Sequence, residues 1–212
     1  MRSVHTIIFA KAPLAGQAKT RLIPALGAAG AAALAARMLA QTLSEAQEAA
    51  LGTIELCVTP GPGMASWRGL AVPPGLIWSA QGQGDLGARM ARAAQRASEK
   101  GEHCLLIGTD CPDLRAPQLR EAAVALQDHD AVLIPALDGG YVLLGLQAFD
   151  ARLFAAMPWG TNAVAAETQR RIAQRQWTLS CLPALHDIDE PADLRWLPLD
   201  MAVQIDEGMH AK

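Results

Sequence analysis

The sequence predicts an α/β fold: a single domain over residues 1–212, with a mostly parallel central sheet flanked by helices on both faces. Three observations carry this. Short apolar runs bounded by turn residues alternate along the chain with longer amphipathic or alanine-rich stretches, the order that builds parallel sheets through helical crossovers. The run Cys104-Leu105-Leu106-Ile107 is apolar without alternation, as a strand covered on both faces must be. With 212 residues, 51% hydrophobic and 18% charged, the chain can bury a sizeable core in one domain.

Each element follows from local pattern. Residues 4–10 form a first strand, and residues 11–22 a loop. An alanine-rich helix runs over about 28–50 and stops at Gly52. Residues 54–59 are a second strand, 60–63 a Pro/Gly turn, and 64–72 fit no single pattern. Pro73-Pro74-Gly75 breaks the chain before a short third strand, 76–80. A glycine-rich loop, 81–87, then leads into an amphipathic helix to about Lys100. After the strand ending at Ile107 and the segment Gly108-Thr109-Asp110-Cys111-Pro112-Asp113-Leu114 comes a helix over 117–127. A fifth strand covers 130–136. Asp138-Gly139-Gly140 is a tight-turn signal before the apolar run 141–146. Helices at about 151–157 and 162–175, a last strand at 177–185 and a helix at 191–196 complete the pattern. Pro191 suits the first helical position, and the tail after Pro198 reads as weakly structured.

Composition excludes several classes. A net charge of -3 offers no general attraction to nucleic acid or to anionic membranes. No apolar stretch reads as long enough to span a bilayer, and the N-terminus is too short in apolar residues for a secretory segment. Cys57, Cys104, Cys111 and Cys181 lack C-x-x-C spacing and read as reduced core thiols in a cytoplasmic protein. The five histidines form no zinc pattern.

Chemistry concentrates at strand ends. Asp110 lies just past the buried strand, where ligands of open α/β sheets bind. Asp113, by contrast, reads equally well as a helix cap. The loop after the first strand holds Lys11, Lys19 and Arg21 with Gly16. Glycine lets backbone approach a ligand, arginine offers a fork and lysine a point charge, so the loop suits a diphosphate. It is not a Walker A loop. Gly82, Gly84 and Gly87 spell G-x-G-x-x-G, a rival dinucleotide fingerprint, but in the third βα unit, leaving the basic loop without a task. Arg170, Arg171 and Arg175 read as a solvated face. Asp187 and Asp189 alternate along an extended segment and so point the same way. Asp110 and Asp189 would meet on one rim, where their repulsion favours a bridging cation, and replacing either by Asn should then relieve it.

The stretches FAKAPLAGQAKTRL (9–22), QGQGDLGARM (81–90), GTDCPDL (108–114), DGGYVLLGL (138–146) and DIDEPADL (187–194) span nearly the whole chain. Together they resemble the nucleotide-diphospho-sugar transferase (GT-A) superfamily. Within it, the chain is similar to DUF2064, a group of small, cofactor-guanylyltransferase-like proteins classed with glycosyltransferases. The resemblance implies a single-domain, Rossmann-like GT-A fold, with nucleotide binding over about 1–115 and acceptor binding over about 116–200. It implies that Lys11, Lys19 and Arg21 contact phosphates and that Gln81 and Gly84 lie by the base. Gly16, Asp85, Thr109 and Asp110 complete the implied nucleotide site. It makes Asp110 and Asp189 ligands of Mg2+ or Mn2+. The usual glycosyltransferase D-x-D is absent, the central strand ending in D-C-P-D.

The leading expectation is a metal-dependent glycosyltransferase moving a sugar from a nucleotide-diphospho-sugar to a small acceptor. Lys19 and Arg21 would stabilise the leaving diphosphate, and Asp138 would serve as base. A nucleotidyltransferase releasing pyrophosphate is the alternative, since a phosphate nucleophile needs no base. A non-catalytic nucleotide-binding module is a third reading, and a dinucleotide-dependent oxidoreductase a fourth. Expected partners are a nucleotide-sugar or nucleoside triphosphate and a small-molecule acceptor, with room for a homo-oligomer.

Overall fold

Apolar strands with no polar face must be covered twice, and the fold meets that demand with two helical layers. The computed structural model describes residues 3–199 and 201. Its strands are β1 (Val4–Lys11), β2 (Ile54–Thr59), β3 (Ile77–Ala80), β4 (His103–Ile107), β5 (Ala131–Pro135), β6 (Tyr141–Leu146) and β7 (Leu179–Cys181). They form one sheet in the order β3-β2-β1-β4-β6-β5-β7. Only β6 runs against the others; it is inserted antiparallel between β4 and β5. The helices are α1 (Ile23–Ala49), α2 (Leu86–Glu99), α3 (Ala116–Asp128) and α4 (Val164–Gln174).

Helices α1 and α3 bury Leu39, Leu43, Leu119 and Leu126 against Ile8, Leu56 and Leu105 on one face. Helices α2 and α4 bury Met90, Ala93, Ala94 and Ile172 against Ile7, Leu106 and Leu144 on the other. Gly145 allows this packing at the centre of the sheet, since a Cβ there would lie 2.3 Å from Val132 Cγ1 and 2.8 Å from Leu105 Cδ2.

From β1 the chain winds outward through β2 and β3, then returns to place β4 on the other side of β1. The order therefore reverses between β1 and β4, and the carboxyl ends of those two strands flank a crevice. The 11–22 loop and Asp110 emerge at that point.

Several elements differ from the pattern. The first helix starts earlier, at Ile23, because Gly27 (φ 68°, ψ 166°) separates a turn at Pro24 from the alanine-rich part. The helix expected at 151–157 is a 3-10 turn, Ala151–Leu153, and residues 64–72 contain another, Ala65–Trp67. The expected strand 177–185 pairs regularly only over Leu179–Cys181, with an isolated bridge from Leu185 to Ala136; Pro183 falls between them. Cys57, Cys104 and Cys111 are buried and free, whereas Cys181 is exposed on β7 and is not a core thiol. The stretch Thr20–Ala49 is long and apolar enough to cross a membrane by length and composition, contrary to expectation, because its alanines raise the average. One side of it packs on the sheet. Apart from Leu199 and Met201, the expected weakly structured tail lies outside the described residues.

Candidate active site

A third apolar cluster builds the site. Leu22 and Ile188, both fully buried, meet Ala31, Leu34 and Met38 of α1. Leu22 thereby anchors the end of the 11–22 loop, and Ile188 anchors the C-terminal segment. Because extended residues alternate, burying Ile188 turns Asp187 and Asp189 the other way. The Ile188 N–H donates to Asp110 O at 2.9 Å, which holds this segment against the end of β4.

Lys19 lies at the junction. Its Nζ is 2.6 Å from Asp110 Oδ1 and 2.7 Å from Asp189 Oδ1, and it donates to Ile188 O at 2.6 Å. Its backbone is left-handed (φ 47°, ψ 46°), which a non-glycine residue tolerates only when its surroundings compel it, at roughly 1–3 kcal/mol. The Lys19 side chain is 8% exposed. Burial works against its charge, but the two carboxylates outweigh burial and hold its pKa above the ordinary lysine value. Neither carboxylate is a helix cap. Glu45 of α1 accepts from the Ala116 N–H at the start of α3, and Asp193 accepts from the Asp189 and Glu190 N–H groups.

These groups line an open cleft of about 680 Å³ across the carboxyl rim of the sheet. Of the residues singled out by sequence, Lys11, Lys19, Arg21, Gln81, Thr109, Asp110, Asp138 and Asp189 line it; Gly16, Gly84 and Asp85 do not. Arg21 is largely exposed, with only a loose 3.8 Å approach to Glu190, and is free to reach a phosphate. Lys11 donates to Gln17 O at 2.8 Å and closes the loop on itself.

Gln81 is buried and its amide donates to Ala10 O and Cys57 O, each at 3.1 Å; it ties the sheet together beside the cleft. Asp85 caps α2, accepting from the Ala88 N–H at 2.8 Å. The glycines of the G-x-G-x-x-G run have local reasons to be glycine. Gly82 and Gly84 have positive φ, and a Cβ on Gly87 would lie 2.3 Å from Phe154 O.

Asp138 sits at the tip of the β5–β6 hairpin, where its Oδ1 accepts from the Gly140 N–H at 2.7 Å. Gly139 (φ 92°) presses the tip against Asn162, and its carbonyl accepts from the Ala165 N–H at the start of α4.

Two charged cleft residues escape the sequence reading as site residues. Arg89 of α2 donates to Gly84 O at 3.0 Å and to Gln81 Oε1 at 3.2 Å, and no local motif marks it. Asp187 faces the cleft beside Asp138 and Asp189. Its alternation with Asp189 is the signal that finds it. Burial first, then the charges of Asp138 and Asp189, push its carboxyl up to about 6.

That shift sets a stability prediction. A carboxyl whose pKa is higher folded than unfolded loses stability as pH rises from about 4 to 6. Asp187→Asn is therefore expected to stabilise the chelator-treated protein by roughly 1–2 kcal/mol at pH 7, after allowance for solvent screening. The gain should vanish below pH 4; urea unfolding across this range checks it, and a gain independent of pH would contradict it.

Comparison with known proteins agrees with this architecture. Curated proteins include no match in sequence. A crystal structure described as a "putative nucleotide-diphospho-sugar transferase", from Desulfovibrio desulfuricans G20, is 27% identical with a TM-score of 0.89, covering 99% of this chain and 96% of that one. Rv0371c from Mycobacterium tuberculosis H37Rv, in complex with manganese, is 15% identical with a TM-score of 0.53, covering 92% and 97%. The 4-diphosphocytidyl-2C-methyl-D-erythritol synthase from Anaerococcus prevotii DSM 20548 is 10% identical with a TM-score of 0.60, covering 97% and 99%. The last two show a common fold. Residues 42–161, more than half of the chain, match the family "Uncharacterized protein conserved in bacteria (DUF2064)", and the chain belongs to that family.

Proposed function

We propose that this protein is a transferase acting on a nucleotide-activated substrate, and that it moves a sugar from a nucleotide-diphospho-sugar to a small acceptor with a divalent cation bound. One observation carries the reading: Asp110 and Asp189 turn one oxygen each onto a single cation position, beside the basic loop, at the point where strand order reverses. The similarity to the Desulfovibrio protein supports the same class of reaction.

The residues fit Mg2+ or Mn2+. Two carboxylates with Ile188 O at the same position form an all-oxygen set, and hard divalent ions commonly take one or two carboxylates plus substrate phosphates and water. Asp110 and Asp189 would hold the ion, which supplies positive charge to the diphosphate as it leaves. Arg21 and Lys11 add cations at the mouth of the loop, and Arg21 can grip two phosphate oxygens at once. Gln81 shapes the wall beside the base rather than reading it, since its amide is committed to the protein, and Asp85, outside the cleft, serves as the cap of α2. On the acceptor side Asp138 keeps one carboxylate oxygen clear of its turn, and with Asp187 it forms an acidic pair suited to taking a hydroxyl proton.

The hydrogen bond from Gly140 to Asp138 also favours a second reading. If Asp138 serves only its turn, a phosphate acceptor that needs no base fits better, and the reaction is nucleotidyl transfer with release of pyrophosphate.

Thermal shift with UDP-, GDP- and dTDP-sugars, nucleoside triphosphates and NAD, each with and without Mg2+, tests the reading, since a ligand of the folded state raises Tm by mass action. A metal-dependent shift by a nucleotide-sugar, followed by nucleoside diphosphate release with acceptor, is expected. Pyrophosphate release from a triphosphate would select the second reading, binding without turnover a binding module, and a metal-independent NAD shift would overturn all three. Arg21→Ala should weaken nucleotide binding by roughly 1.5–3 kcal/mol, the range for charge-assisted hydrogen bonds, with little change in stability. Unchanged affinity in titration calorimetry would remove Arg21 from the site.

A further inference from the structure

We propose that Lys19 and the divalent ion compete for the same two carboxylates, so that Lys19 holds the site when metal is absent and moves to the substrate phosphates when metal enters. This rests on the reading of Asp110 and Asp189 as metal ligands. The motivating geometry is the position of the ammonium, within 2.7 Å of Asp110 Oδ1, Asp189 Oδ1 and Ile188 O. Those oxygens are the donor set a divalent ion would need, and one position cannot hold two cations.

Charge decides which occupant is preferred. Two carboxylates with one ammonium leave a net charge of −1, and with a divalent ion they are neutral. Ion and ammonium together would leave an excess of +1, which only an added anion can balance. A diphosphate in the cleft supplies that anion and offers the displaced ammonium new acceptors. Metal and nucleotide binding are therefore linked through Lys19, and by reciprocity each strengthens the other. The backbone is consistent with this. Lys19 is a non-glycine residue in the left-handed region, a conformation held in place by its contacts rather than by its own preference. Arg21, two residues on, has no such commitment and stays exposed toward the cleft. The loop thus keeps Arg21 already facing the cleft opening and Lys19 held in reserve.

The test uses Mn2+ alone, with the full chain and no nucleotide, and reads the free-ion signal by electron paramagnetic resonance. Lys19→Met removes the competing charge and keeps most of the stem, and its Mn2+ affinity is expected to rise at least about tenfold over the parent. Adding Asp189→Asn to that variant should abolish the gain. An unchanged or weaker affinity in Lys19→Met, with both proteins binding Mn2+, would overturn the competition and leave the metal reading standing. Absence of Mn2+ binding in both proteins would overturn the two together.

A second measurement needs no variant. The Lys19 side chain is 8% exposed, so an amine-acylating reagent should label it slowly in chelated parent protein. Saturating Mn2+ should speed that labelling several-fold, read by peptide mass spectrometry, while Lys11 serves as the exposed control. Labelling of Lys19 that does not respond to saturating Mn2+ would overturn the proposal.

Discussion

Glu55→Gln is expected to lower the free energy of unfolding by about 3–5 kcal/mol, the range for breaking a buried ion pair by removing one partner. Glu55 is buried at the start of β2, under α2. Its carboxylate meets the Arg96 guanidinium of α2, and Ser79 of β3 donates to it at 2.5 Å. His5 of β1 lies 3.1 Å from its other oxygen and 3.1 Å from Glu102. Burial disfavours the charged carboxylate, but contacts from His5, Ser79 and Arg96 outweigh burial and hold its pKa at about 2. The sign follows from that depression: the contribution is present above the unfolded value near 4.5 and is lost as pH falls toward 2. Glutamine keeps the shape but leaves Arg96 without its counter-charge. The difference between parent and variant should thus be full at pH 7 and should shrink in acid. Urea unfolding at pH 7 and at pH 3 measures both; a loss below about 1 kcal/mol at pH 7 would mean that water replaces the lost charge. Replacing Glu55 and Arg96 together by methionine should cost less than Glu55→Gln, because no unpaired charge remains.

The same residues show how far sequence carries. Strand β4 is legible from four apolar residues, because only a doubly covered strand lacks a polar face. The hairpin at Asp138-Gly139-Gly140 is legible from turn chemistry. That β6 lies between β4 and β5 is not, since the insertion depends on pairing between residues distant in sequence. Glu55 shows the limit more sharply. In sequence it is a charged residue interrupting a strand, and its partners come from β1, β3 and α2, so no local pattern announces the buried network.

The site divides in a similar way. Asp110 is legible because it follows a buried strand, and Asp189 because it alternates with Asp187 around an apolar residue. That they meet follows from the shared rim. That a lysine of the first loop joins them does not, because the position of Lys19 depends on its left-handed backbone and on Leu22 and Ile188 being buried in one cluster. In an extended loop, residues two apart such as Lys19 and Arg21 would point the same way. Instead Lys19 turns inward to the carboxylates and Arg21 outward to the cleft, because the chain leaves its extended path at Lys19 and forms a 3-10 turn over Thr20–Leu22.

Asp110→Asn and Asp189→Asn are each expected to abolish the Mg2+-dependent part of nucleotide binding while leaving a weak, metal-independent part. Asparagine cannot supply the charge that holds a hard divalent ion, and the remaining single carboxylate is a poor site by itself. Lys19 changes what happens without metal. If the two carboxylates faced each other alone, either substitution would relieve repulsion and raise stability. Because Lys19 sits between them, each substitution removes half the counter-charge of a nearly buried ammonium. A modest loss, about 1–2 kcal/mol, is expected for each, since the Asp110 and Asp189 side chains are 51% and 42% exposed and water screens them. A capping role gives a different result, since Asn caps about as well as Asp and both variants would be nearly neutral in every measurement. The deciding experiment is nucleotide affinity with and without Mg2+ in both variants, beside urea unfolding in chelator. Retention of the metal effect in either variant removes that residue from the site, and a gain in chelated stability would mean that Lys19 does not bridge the pair in solution.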